Sequence, residues 1–198
     1  MSQKLAAVSL VGVVALAVAC RVSSVGPITS EARYSPQGAA SDVVPADACA
    51  AVGMLTVSDG RSGERLVGTR TIQDREGRAD ISIEGDVEDW LRSGVERALD
   101  AAATRRGSGP AVAVRLSTLT VNEVAFRNSE FNGSVVLDVT VTRDGAEPWS
   151  FRASGEAENY GRPGNAANYQ ETANHALDRA ATSAVNNTEF RRRLCGQA

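Results

Sequence analysis

The hydrophobic pattern begins with fifteen consecutive uncharged positions, Leu5 to Ala19, preceded by Lys4 and ended by Ala17-Val18-Ala19 before Cys20. A positive start, an apolar run and a small-residue exit have the form of a secretory signal. At about 1.5 Å per residue the run reaches roughly 22 Å, short of a hydrocarbon core of about 30 Å, so it reads as a signal rather than a retained transmembrane helix. From Arg21 to Asp47 the pattern lapses into prolines, serines and alanines with no sustained period. That composition predicts an extended or disordered spacer.

Regular patterning resumes near Cys49. Residues 52–57 are apolar on both phases of an alternation and predict a central strand ending in the turn Ser58-Asp59-Gly60-Arg61. A polar stretch surrounds Leu66-Val67-Gly68, and Ile81 and Ile83 mark a short strand that stops at Gly85. Asp86 is placed to cap a helix whose stripe is Trp90, Leu91, Val95, Ala98, Leu99 and Ala102, with Arg105 and Arg106 expected in its last turn. A three-stranded meander follows. Val112, Val114 and Leu116 fall out of phase with Leu119 and Val121, which predicts a bulge at Ser117-Thr118. Val135 to Val141 alternates without a break, Arg143-Asp144-Gly145 supplies a hairpin, and Trp149, Phe151 and Ala153 return on one face. A second helix carries the stripe Tyr169, Ala173, Ala176, Leu177, Ala180 and Ala184; Asn186-Asn187-Thr188 interrupts it before a short apolar turn at Phe190 and Leu194.

The expected fold is therefore α+β: a single mixed or antiparallel sheet with two long helices packed on one face, each burying its one apolar stripe against a shared surface. The expected divisions are a signal peptide over 1–19, a lipid-anchored flexible tether over 20–48 and one periplasmic domain over 49–198.

Composition narrows the function. Lys4 is the only lysine, so a chain processed before Cys20 balances its 24 acidic residues with arginine alone. The resulting acidic balance gives no electrostatic case for nucleic-acid binding. Aromatic residues make up only 5 % of the chain, so its core must rest on close helix–sheet contact rather than large side chains.

The three cysteines divide into two kinds. Ala17-Val18-Ala19-Cys20 fits ordinary signal cleavage and is also similar to the lipobox of bacterial lipoproteins, in which the cysteine is acylated. Two acyl chains hold a protein stably on a membrane where one does not. Cys49 and Cys195 then remain as an even pair at the two ends of the folded part, where an oxidising compartment favours a disulfide. The alternative is a pair of isolated thiols.

Catalytic motifs are lacking. His175, the single histidine, falls on the polar side of its helix, and no zinc spacing, phosphate loop or nucleophile elbow is present. No catalytic, cofactor or metal-binding residue is assigned, and no cofactor is expected. Asp59 with Arg61 reads first as a clamped turn and second as a site. Arg191-Arg192-Arg193 reads first as a basic terminus and second as a phosphate or headgroup contact.

Cys20, the turn Val57–Arg61 followed by Leu66-Val67-Gly68, the helix from Val87 to Leu99, and above all Asn168-Tyr169-Gln170-Glu171 with Asn174-His175-Ala176-Leu177-Asp178-Arg179-Ala180 resemble the YajG-type outer-membrane lipoprotein family. The resemblance implies a small periplasmic α/β domain on the inner leaflet of the outer membrane, without an established catalytic role. The long spacer and the Cys49, Cys195 pair depart from the family and leave its partner surface unassigned here. The expected function is that of a non-catalytic, lipid-anchored protein that binds or supports an envelope partner or assembly. A secreted hydrolase-like enzyme with an unrecognised site, or a carrier of lipid or small ligands, are the alternatives.

Overall fold

The computed structural model describes residues 26–38, 42–62, 64–73 and 76–196; the signal-like run and Cys20 lie outside them. Four strands come first, β1 (Ile28–Glu31), β2 (Ala51–Asp59), β3 (Leu66–Ile72) and β4 (Arg78–Glu84), then helix α1 (Val87–Ala101). Strands β5 (Arg105–Ala125), β6 (Ser129–Thr142) and β7 (Trp149–Gly161) follow, and helices α2 (Ala166–Asn186) and α3 (Thr188–Leu194) close the chain.

All seven strands form one mixed sheet in the order β1-β4-β3-β5-β6-β7, with β2 joined to β5 off this path. Strand β5 is its spine. Its first half pairs in parallel with β2, its end pairs in parallel with β3 on the same edge, and β6 runs antiparallel along the other edge. A register shift between Leu116 and Thr118 marks the bulge that the phase change implies. It keeps Val112, Val114, Leu116, Leu119 and Val121 all on the buried side, where a regular strand would turn the last two outward.

The pattern predicts two long helices, and the structure overturns this: among the described residues there are three discrete helices. The backbone of Asn187 is extended, which ends α2, and its side chain accepts from the Phe190 amide at 2.9 Å, which caps α3. One asparagine thus stops one helix and starts the next. The α+β class and the mixed sheet stand. Helix α1 also ends earlier than its pattern suggests. Ala103 adopts φ 56°, and Arg105 and Arg106 open β5 instead of closing the helix. Strand β2 is not central: β5 is its partner in the sheet, and Met54 is exposed. Leu66–Ile72, read as a polar stretch, is a strand, and Ile28–Glu31, in the stretch read as a spacer, pairs in parallel with β4.

Helices α1 and α2 meet where Gly94 faces the Leu177 side chain, and Trp90 Nε1 donates to Asn174 Oδ1 at 2.7 Å across that contact. The Asp86 cap is made, with its carboxylate accepting from the Asp89 amide at 2.9 Å. Helix α2 lies over β6 and β7 and reaches β1, so the sheet curves around it. Small residues permit this approach. A Cβ on Gly155 of β7 would lie 2.3 Å from both the Ala176 carbonyl oxygen and the Ala180 amide nitrogen. Backbone cannot swing aside as a side chain can, so Gly155→Ala is expected to cost about 1–3 kcal/mol. The check is a lowered urea midpoint with an unchanged far-UV spectrum.

Candidate functional site

Three places could carry function: the turn at the end of β2, the end of the sheet where β3, β5 and β6 meet, and the sheet face that bears no helix.

At the first, Asp59 and Arg61 face each other. Arg61 donates from Nε to Asp59 Oδ1 at 2.9 Å and from Nη2 to Oδ2 at 2.7 Å, and its backbone amide adds a third bond at 3.1 Å. The spacing of two residues across a turn makes this bidentate geometry local. Burial alone would raise the Asp59 carboxyl; the hydrogen bonds and charge of Arg61 outweigh it and hold the group below the usual carboxylate range. The Asp59 amide in turn donates to Glu88 in the first turn of α1, at 3.2 Å. A groove of about 490 Å³ lies alongside, with Glu64, Arg65, Glu84, Asp86 and Glu88 also in its wall. Acids outnumber arginines there, and Asp59 and Arg61 have each other as partners.

Cys49 and Cys195 are bonded to one another, with Cα atoms 4.9 Å apart and a sequence separation of 146. The Asp47 carboxylate lies close enough to both sulfurs to complete a three-donor cluster. In the disulfide state neither sulfur is a thiolate, the form in which cysteine binds a metal.

The second place was not singled out by sequence reasoning. Glu123 on β5 is 1 % exposed and Arg70 on β3 is 7 % exposed. Their strands pair with these two residues opposite one another, and Arg70 Nε meets Glu123 Oε2 at 2.5 Å. Ser129 Oγ donates to Glu123 Oε1 at 2.5 Å, the Gly164 amide donates to the same oxygen at 3.0 Å, and the Tyr169 hydroxyl donates to Oε2. Burial, then the bond to Glu123, push the Tyr169 hydroxyl above its ordinary value. One carboxylate thus gathers β3, β5, β6, the loop after β7 and helix α2. The signal in the sequence is a charged residue on the inward phase of a strand, Val121-x-Glu123-x-Ala125. Because the oxygens are all engaged and enclosed, the cluster serves as a buried anchor of the fold.

The third place is the outer face of β5, β6 and β7. Here the alternate side chains point away from both long helices and line up in rows set by the register, such as Arg115–Asp138–Arg152 and Asn122–Asn132–Glu158. Asp138 accepts from Arg152 Nε at 2.9 Å and lies 3.7 Å from Arg115 Nη1; Thr140 and Ser150 share a hydrogen bond of 2.8 Å. Along the free side of β7, the Glu156 carbonyl accepts from Arg179 of α2. His175 is linked to Gln37 at 3.1 Å, and Arg192 and Arg193 both pair with Glu189. Those two arginines pull the half-buried Glu189 carboxyl down to about 2.

No family model matches the chain, and no curated protein matches it. Among solved structures, the chain is similar to protein XCC0632 from Xanthomonas campestris, described under the family model DUF330, at 14 % identity and TM-score 0.45, covering 87 % of this chain and 98 % of that one. It is also similar to a minor lipoprotein from Acinetobacter baumannii, at 12 % identity and TM-score 0.33, covering 75 % of this chain and 95 % of that one. With TM-scores under 0.5, neither likeness transfers a residue role to this chain.

Proposed function

We propose that the protein is a non-catalytic lipoprotein of the bacterial envelope, held by acyl chains on Cys20 and binding a protein partner on the outer face of β5–β7. Within this reading it is a YajG-type lipoprotein at the periplasmic face of the outer membrane. The observation that carries the binding role is the helix-free face itself. Three strands at about 4.8 Å spacing, each about 13 residues at roughly 3.3 Å, cover an area of roughly 600 Å². A standard interface takes about 800 Å² per partner, so this face and its rim are of the right size. Its rows of hydroxyl, amide and paired charged groups keep it soluble when free and supply polar contacts when covered.

A photocrosslinking residue placed at Thr140 or Ser154 tests this in intact envelopes. One adduct of defined mass is expected from both positions and none from Asp100, which is exposed on α1. Adducts from Asp100 alone, or none from the sheet face, would overturn the binding surface. Mass spectrometry of the mature amino terminus tests the anchor separately: an unmodified thiol at Cys20, or a start elsewhere, removes it.

A further inference from the structure

We propose that the tip of the β5–β6 hairpin, with the end of β7 beside it, rests in the membrane interface, so that the sheet stands upright on the bilayer. The inference builds on the Cys20 anchor and adds an orientation and a second contact with lipid.

Among the described residues, six large apolar side chains are exposed, and three of them share one corner: Val124 at 41 %, Phe126 at 53 % and Tyr160 at 63 %. The register explains the grouping. Val124 lies opposite Glu130, and Glu130 lies opposite Tyr160, so they form the last row of the outer face; Phe126 sits just beyond it in the turn. Met54, Leu66 and Val44 lie on β2, on β3 and in the stretch before Cys49.

Chain direction brings the anchor to the same end of the sheet. Ile28 opens β1 opposite Ile81 of β4, and Ile81 lies opposite Gly68 of β3. Two and three residues further along β3, Arg70 and Thr71 lie opposite Glu123 and Val124. Strand β1 runs parallel to β4, β4 runs antiparallel to β3, and β3 runs parallel to β5, so β1 is antiparallel to β5. The chain before Ile28 therefore leaves the sheet toward the end where β5 closes at Ala125. From Cys20 to Gly26 there are six residue steps, at most about 20 Å of chain. An acyl group on Cys20 holds this end, and not the disulfide end, within that distance of the bilayer.

An aromatic ring with a polar tip, as in Tyr160, suits the headgroup level, and an exposed phenylalanine suits the boundary just beneath it. Arg78, Arg127 and Arg162 lie exposed at this end, as do Glu76 and Glu158, with Glu130 half-buried. The two signs offset one another, so contact does not require anionic lipid.

The test uses the chain from Cys20 onward, which contains every described residue. With Cys49 and Cys195 bonded, Cys20 is the single free thiol, so it can be coupled to a maleimide lipid in phosphatidylcholine vesicles whose acyl chains are brominated. Tryptophan is placed at the tip by Phe126→Trp or at the far end of the sheet, in the β6–β7 turn, by Asp144→Trp. The emission each adds to that of the parent chain is then measured. The tip residue is expected to lose roughly half its added emission, as an interfacial indole does, and the far one almost none. An equal fractional loss from the two, or no loss at the tip, would overturn the proposal while leaving the anchor in place. A mature amino terminus other than acylated Cys20 in the natural protein would overturn both.

Discussion

Replacing Cys49 with serine is expected to lower the stability of the domain by about 4–5 kcal/mol, on the chain-entropy account of a cross-link across so long a loop. The bridge spans a sequence separation of 146 and joins the approach to β2 to the close of α3. Its removal frees the approach to β2 on one side and the close of α3 on the other. Helix α3 has only seven residues, too few to persist without tertiary support. What else holds it is the burial of Phe190 and Leu194, each 2 % exposed, with Phe190 beside Phe151 at 5.7 Å, Arg193 over the Trp149 ring at 5.3 Å, and Arg191 donating to the Pro45 carbonyl. With a slope of about 2 kcal/mol per molar urea, the loss should move the midpoint by roughly 2 M. Dithiothreitol should shift the natural chain equally and leave Cys49→Ser unmoved. A reduced chain that keeps its midpoint would show that the bridge merely records proximity.

How far the chain could be read in advance depends on whether a segment's burial is decided locally. The β5–β7 meander declares itself because its inward positions are apolar at a period of two, and even the bulge shows as a break of phase at Ser117. The stripes of α1 and α2 are legible for the same reason. Strand β1 is not, since only Ser30 of its four residues is buried. Strand β3 hides behind Arg70, which looks like a solvent residue until Glu123 is placed opposite it on a strand more than fifty residues away. The end of α1 is ambiguous in the sequence because arginines suit a helix C-terminus and a strand start alike; the positive φ at Ala103 decides between them. Asp59 and Arg61 could be paired on paper because their contact lies within one turn, whereas the Glu123 cluster exists only once five separate segments have met.

That cluster supplies the second large effect. Glu123→Leu is expected to destabilise the domain by about 3–5 kcal/mol, because it leaves the Arg70 guanidinium buried without its counter-charge and strips the Ser129 and Tyr169 hydroxyls and the Gly164 amide of their acceptor. Arg70→Met should cost less, since the Glu123 carboxylate keeps those three donors. The two changes sit within one network, so their costs should not add: the double variant is expected to be more stable than the sum of the singles predicts, because the orphaned cation is gone. Urea unfolding of all four proteins measures the difference. Near-UV circular dichroism adds a local reading, for Tyr169 packs edge-on to Phe131 at 5.0 Å and loses its orienting bond with Glu123. Strict additivity, or a Glu123→Leu protein as stable as the parent, would mean that the carboxylate is not what holds β3, the loop after β7 and α2 to the spine of the sheet.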